Sequence, residues 1–354
     1  MIIYSILSVV IASILVKQNE KKDRAIKKIN IYLSLKLVIN FLVAHILVLV
    51  LVEITENKSW YTMLLPAILS FVFSVIDSIS LYGTIKKLRE LRCERKEYYF
   101  QIIGENILLY ITWFITSLLH VSGTNENNDY VFFLGYFMFW CILNFAVVHI
   151  RKYVIKSKAV SNIKLLNVIN KHYIEGYKIY EYDGHIRKSA NAMVDCMFGK
   201  GNIYFSDYLL DNLTEEEVEA IYLHEIGHIK KRHITIRNIL LVMIMPLMYF
   251  IGVFMDEIEQ VWHINIFWGI AIGMGILIGY MVFFYLYVSR RQEYAADTYA
   301  AKHINDSGVL CQALIKLNEL NDVLEAKNEN VVLKSHPTVT QRIKKIKEHA
   351  NGGI

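Results

Sequence analysis

The stretch Thr214-Glu215-Glu216-Glu217-Val218-Glu219-Ala220-Ile221-Tyr222-Leu223-His224-Glu225-Ile226-Gly227-His228-Ile229-Lys230-Lys231-Arg232-His233 decides how this chain is read. Thr214 followed three residues later by Glu217 has the form of a capping box, and the acids at 215–217 suit the positive end of a helix dipole. Lys230, Lys231 and Arg232 suit the negative end, so the spacing predicts a helix from Thr214 to about His233. Within it stands His224-Glu225-Ile226-Gly227-His228, an HExxH pattern. Residues four apart share one helical face, so both imidazoles can reach a single zinc ion, and Glu225 is placed to act on a water beside it.

Two histidines do not complete a zinc site. The extended metzincin pattern needs glycine at 231 and histidine at 234, where this chain has Lys231 and Ile234. A glutamate some 20 residues on, as in thermolysin-like enzymes, is absent, because the sequence turns apolar near Ile239 and reaches acids only at Asp256, Glu257 and Glu259. A second apolar run then leads into Ser289-Arg290-Arg291-Gln292-Glu293-Tyr294-Ala295-Ala296-Asp297. Glu293 is the first carboxylate after that run and the candidate third ligand. Asp297, one turn later, is placed to accept a hydrogen bond from a ligand imidazole and is the alternative ligand. His233, five residues past His228, points off the ligand face of a continuous helix.

Composition places this motif in a membrane protein. Of 354 residues, 55% are hydrophobic and only 20% charged, and mean hydropathy is +0.33, above the range of soluble globular chains. Apolar runs long enough to cross a bilayer occur at about 31–52, 61–83, 100–121, 131–150, 239–255 and 266–288, with a shorter one at 2–16. The short run has no basic residues before it and no small-residue cleavage pattern after it, so it reads as a retained anchor. Basic residues cluster at Lys17–Lys28, Lys86–Lys96 and in the segments after 150 and 288. The loops at 53–60, 122–130 and 256–264 hold only Lys58. The positive-inside bias puts the first group on the cytoplasmic face. Asp77 and Glu105 interrupt two of the runs and imply a partner, a cavity or a neutral form there.

The expected organisation is a membrane region at 1–150 with about five spans, and a first part of a soluble domain at 151–238. A transmembrane hairpin at 239–288 and a second part at 289–354 follow. The first part should hold a helix near 160–173, a strand at 177–182 ending at Asp183-Gly184, and strand-like sequence at 191–205. The second should hold helices near 290–304 and 309–325, a loop at Ser335-His336-Pro337 and a last helix from Thr338. Cys93, Cys141, Cys196 and Cys311 form no CxxC pair, which excludes a thiolate zinc site and a disulfide framework. Aromatic residues, 13% of the chain, suit interfacial belts, and nothing points to nucleic acid.

Four ordered motifs, Asn191-Ala192, the HEIGH sequence, Glu293 to Asp297, and His336-Pro337 with Arg342, resemble the M48 family of membrane zinc metallopeptidases, which includes the HtpX and Ste24 CAAX proteases. The resemblance covers about Ile179 to Arg342. It implies a cytoplasmic α+β zincin-like domain on a polytopic α-helical membrane protein, with one Zn2+ held by His224, His228 and Glu293 and with Glu225 as base. It further implies His336 and Arg342 near the substrate carbonyl or its oxyanion, and Asn191 on an edge strand that aligns a polypeptide substrate. Seven spans are more Ste24-like than HtpX-like, although the cytoplasmic loops are brief. Site-2 proteases bury HExxH inside a membrane helix, whereas charges flank this one, and sensor proteases of the BlaR type need a large outward domain. The expected activity is peptide-bond hydrolysis of membrane-associated or cytoplasmic-face polypeptides, with a CAAX-type prenyl-peptide protease as the alternative. A non-enzymatic zinc-dependent sensor or transporter is the rival outside that class, and it leaves Glu225 without a purpose.

Overall fold

The computed structural model describes residues 60–89, 155–185, 188–197, 199–244, 279–321 and 336–351, with isolated positions outside these ranges. Helix α1, Trp60–Arg89, is 30 residues long, and only part of its side chains is described. Among the described residues no helix is long and apolar enough to cross a membrane. The runs expected to span at 31–52 and 100–121, most of those at 2–16 and 131–150, and parts of those at 239–255 and 266–288 lie outside the described residues, as do Glu105 and the side chain of Asp77.

The described residues form a four-stranded sheet in the order β1-β2-β4-β3, from β1 (Lys158–Ala159), β2 (Tyr177–Tyr182), β3 (Ala192–Met197) and β4 (Lys200–Ser206). β3 and β4 form a hairpin, in register from Ala192 opposite Phe205 to Met197 opposite Lys200. Gly199 sits in its turn with φ +79°, a conformation that side chains with a Cβ rarely adopt. β4 runs parallel to β2 and leaves β3 at the edge. Ile203, Tyr204 and Phe205 are fully buried, so both faces of the central strand are covered. Phe205 stacks on Tyr222 of the HExxH helix at 6.2 Å, which joins the sheet to that helix.

Buried polar contacts fix the surrounding helices. The carboxylate of Glu181 on β2 accepts from the backbone of Ser161 and Asn162 and from the Ser161 hydroxyl at 2.6–2.9 Å, which sets the start of α2 (Ile163–Lys171). A short α3 (Asp207–Asn212) leads to α4, Glu215–Lys230, which carries the motif. Thr214 and Glu217 form the capping box, and Glu217 also accepts from Lys316 Nζ at 3.0 Å, tying α4 to α7 (Ser307–Leu320).

The helix expected to continue to His233 stops at Lys230. Arg232 adopts a left-handed conformation, φ 54° and ψ 30°, and α5 (His233–Val242) begins immediately after it. A π-helical segment, Met281–Leu286, leads into α6, Tyr287–His303. α6 packs along α4, and the last helix, α8 (Val339–Asn351), packs on α6 and α7. At the α4–α6 crossing a Cβ on Gly227 would stand 3.0 Å from Ala296 Cα and 3.1 Å from its carbonyl oxygen, so glycine is what permits the close approach.

Candidate active site

His224 and His228 rise from one face of α4, and Glu293 meets them from the buried face of α6. These three could hold a metal ion. His224 Nε2 lies 3.1 Å from His228 Nε2. Glu293 Oε2 is 3.6 Å from the first and Oε1 is 3.5 Å from the second. Ligands about 2.0–2.1 Å from a tetrahedral zinc stand about 3.3–3.4 Å from one another, so the donor triangle matches that ion. Two imidazole nitrogens and one carboxylate, all buried, also suit zinc chemically.

Further side chains brace each ligand. Asp297 Oδ1 lies 2.9 Å from His224 Nδ1. Arg342 of α8 binds the same carboxylate through Nε at 2.7 Å from Oδ2 and through Nη2 on Oδ1. Arg342 Nη2 also stands 3.3 Å from His224 Nδ1, two donors converging on one carboxylate oxygen. Its Nη1 is 3.8 Å from Glu293 Oε2. His336 Nδ1 is 3.2 Å from Glu293 Oε1, with its side chain 61% exposed at the mouth of the site.

The electrostatics follow from burial and these contacts. Burial works against a charge on His224, but the hydrogen bonds to Asp297 and Glu293 outweigh it and push its pKa up to about 9. Burial together with the neighbouring His224 charge pushes His228 down to about 2, leaving a neutral ring. Burial opposes ionisation of Glu293, yet His224, His336 and Arg342 hold it well below the usual carboxylate range. Glu225 shifts the other way: burial, with Glu293 adding, raises it despite the cations His224, Arg237 and Arg342. A carboxylate raised in this way is suited to accept a proton and return it near neutral pH.

Asn191 is exposed, immediately before edge strand β3. Its backbone N–H donates to Ser206 Oγ at 3.0 Å, and its carbonyl accepts from Ser206 N at 2.9 Å. The structure therefore gathers His224, Glu225, His228, Glu293, Asp297, Arg342 and His336 at one place, and sets Asn191 at the sheet edge. Two features go beyond the expectations from sequence. Arg342 commits two nitrogens to Asp297, and His233 Nδ1 meets His228 Nδ1 at 3.0 Å. Neither carries a local signal: the first joins residues 45 apart in sequence, and the second depends on the left-handed turn at Arg232.

Comparison with known proteins agrees with this geometry. The chain is 29% identical over 178 residues to a CAAX prenyl protease 1 homolog of Dictyostelium discoideum, covering 45% of this chain and 39% of that protein. It is 31% identical over 141 residues to a protease HtpX homolog of Halobacterium salinarum, covering 37% of this chain and 45% of that one. These matches thus span less than half the length of either relative. In fold it is similar to the crystal structure of S. mikatae Ste24p, with a TM-score of 0.64 at 18% identity over 97% of each chain. The family model of peptidase family M48 matches residues 160–350, a stretch containing every residue of the metal cluster and its supports, and the chain belongs to that family.

Proposed function

We propose that this chain is a zinc-dependent metalloendopeptidase whose site is made by α4, α6 and α8. The observation that carries the reading is the buried Glu225 beside a donor triangle of zinc dimensions, since Glu225 is not one of the three ligands. Bound zinc would supply Lewis acidity, acidifying a water and polarising the scissile carbonyl. His224, His228 and Glu293 would hold the ion. Glu225 takes a proton from the attacking water and passes it to the leaving amine, a transfer its raised pKa favours. His336, half out of the site, is the side chain best placed to meet the developing oxyanion; Arg342 has only Nη1 uncommitted to Asp297. Edge strand β3, entered from Asn191, is the strand along which an extended substrate would align.

Glu225→Gln tests this directly. Turnover of a peptide by the detergent-purified protein should fall by at least about a thousandfold, with zinc content unchanged. Undiminished turnover would eliminate the mechanism.

For the substrate, the CAAX-type reading is favoured over a general membrane protease. It is supported by the printed name of the Dictyostelium relative and by fold similarity to Ste24p along nearly the whole chain. Preferential cleavage of a farnesylated C-terminal peptide over the same peptide without the lipid supports it; equal cleavage supports the broader reading. The membrane setting rests on the apolar runs and on outward-facing rings at Phe250, Phe254, Phe283, Phe284 and Tyr287, which suit lipid. In that arrangement residues 239–288 form a transmembrane hairpin, and the segments at 151–238 and 289–354 join on the cytoplasmic face.

A further inference from the structure

We infer that His233 is the positioning residue for His228, its Nδ1 accepting the Nδ1–H of the ligand ring so that Nε2 is presented bare to the metal. The inference rests on the zinc reading of the site. The chain turns through left-handed Arg232 directly after α4, with Lys231 N donating to Gly227 O at 3.1 Å and Arg232 N to Ile229 O at 3.0 Å. This reversal returns a residue that a continuous helix would have carried off the ligand face. His233 becomes the first residue of α5, is 5% exposed, and sets its ring edge to His228 with centroids 5.1 Å apart and planes at 77°.

The tautomers follow from the two nitrogens that meet. His228 turns Nε2 to the donor triangle, 3.1 Å from His224 Nε2 and 3.5 Å from Glu293 Oε1. A neutral imidazole that ligates through Nε2 carries its hydrogen on Nδ1. The Nδ1–Nδ1 contact of 3.0 Å has room for one hydrogen, so His233 Nδ1 must bring a lone pair and keep its own hydrogen on Nε2. The opposite assignment would aim an N–H of His228 at the cation. The two zinc histidines are therefore held by different chemistry: His224 by a carboxylate that Arg342 anchors, His228 by an uncharged ring. A neutral acceptor fixes the orientation of the ligand without adding another negative charge beside Glu293.

The test is zinc affinity of the full-length detergent-purified protein, measured by competition with a chromophoric chelator, for wild type and for His233→Ala, His233→Asn and His233→Gln. Asparagine can place Oδ1 where the histidine has Nδ1, whereas glutamine reaches the Nε2 position instead. We expect affinity to drop about 10–100-fold in His233→Ala and His233→Gln, and to stay within about threefold of wild type in His233→Asn. Unchanged affinity in His233→Ala overturns the inference, and so does an equal loss in the Asn and Gln variants, which would show only that the ring fills space. If His233→Ala does not fold, the Asn and Gln pair decides alone. Wild-type protein that binds no zinc overturns the zinc reading itself, an outcome visible without any variant.

Discussion

Arg342 grips Asp297 with two nitrogens although 45 residues separate them, and Asp297 in turn faces His224 Nδ1 at 2.9 Å. The last helix of the described chain thus holds the carboxylate that orients His224, the first histidine of the candidate metal cluster. A buried ion pair of this kind is costly to break from one side, because the remaining charge is left in a low-dielectric site.

Arg342→Met should therefore lower stability by about 3 kcal/mol, read from denaturant unfolding in detergent, and weaken zinc binding. Pairing it with Asp297→Asn should give a loss smaller than the sum of the two single changes. A loss below about 1 kcal/mol, the value for an exposed pair, would contradict the buried geometry.

Gly227→Ala sets helix propensity against packing. The methyl group adds about 1 kcal/mol of intrinsic helix preference but meets the Ala296 backbone at 3.0–3.1 Å, so α6 must shift and carry Glu293 with it. The expected result is thermal stability near that of wild type with zinc affinity about tenfold weaker, checked by a melting curve and chelator competition on the same sample. Affinity equal to wild type would mean that α6 moves without disturbing its carboxylate.

Protein stripped of metal should show the charge on His224. With its pKa raised to about 9 from the ordinary histidine value of about 6.5, this group contributes stability that is complete below that ordinary value and is lost as pH rises through about 9. The melting temperature in chelator should fall across that window. Zinc uptake at pH 7.5 should release about one proton, measured by titration calorimetry in buffers of different ionisation enthalpy. No proton release would place His224 in its neutral form before the metal arrives.

Sidedness can be measured with cysteines placed in a background lacking the four native ones. Lys200→Cys, exposed at the β3–β4 turn, should resist an impermeant thiol reagent in sealed right-side-out cells, and Asn127→Cys should react. The reverse pattern would move the site to the outer face and change the substrate pool accordingly.

The parts of this fold that could be read from sequence are those that local contacts determine. The cap at Thr214 and Glu217, the shared face of His224 and His228, and the strand at Tyr177–Tyr182 depend on neighbours within a few residues. The stop at Lys230 was not readable, because Arg232 gives no sign of the left-handed turn that glycine or asparagine would announce. The parallel pairing of β2 with β4, the grip of Arg342 on Asp297 and the contact of His233 with His228 all require the chain to return from elsewhere, and side-chain periodicity does not encode such returns. Glu293 was accessible as a candidate because it is the first carboxylate after a long apolar run, an argument from chain order rather than from contact.

The π-helical segment at Met281–Leu286 sets the phase of everything after it. A π turn accommodates one residue more than an α turn, so it rotates the following helix by about 100° relative to an uninterrupted one. The buried stripe of α6, with Ser289, Gln292, Glu293, Ala296, Asp297 and Ala300, faces α4 in that rotated phase. Losing any single residue between 281 and 286 would let the helix relax to α geometry and swing Glu293 and Asp297 away from the histidines together. Natural variation in this segment should therefore be free in residue type and strict in length, and a descendant without a working site could arise by a one-codon deletion that leaves every residue of the candidate metal cluster intact.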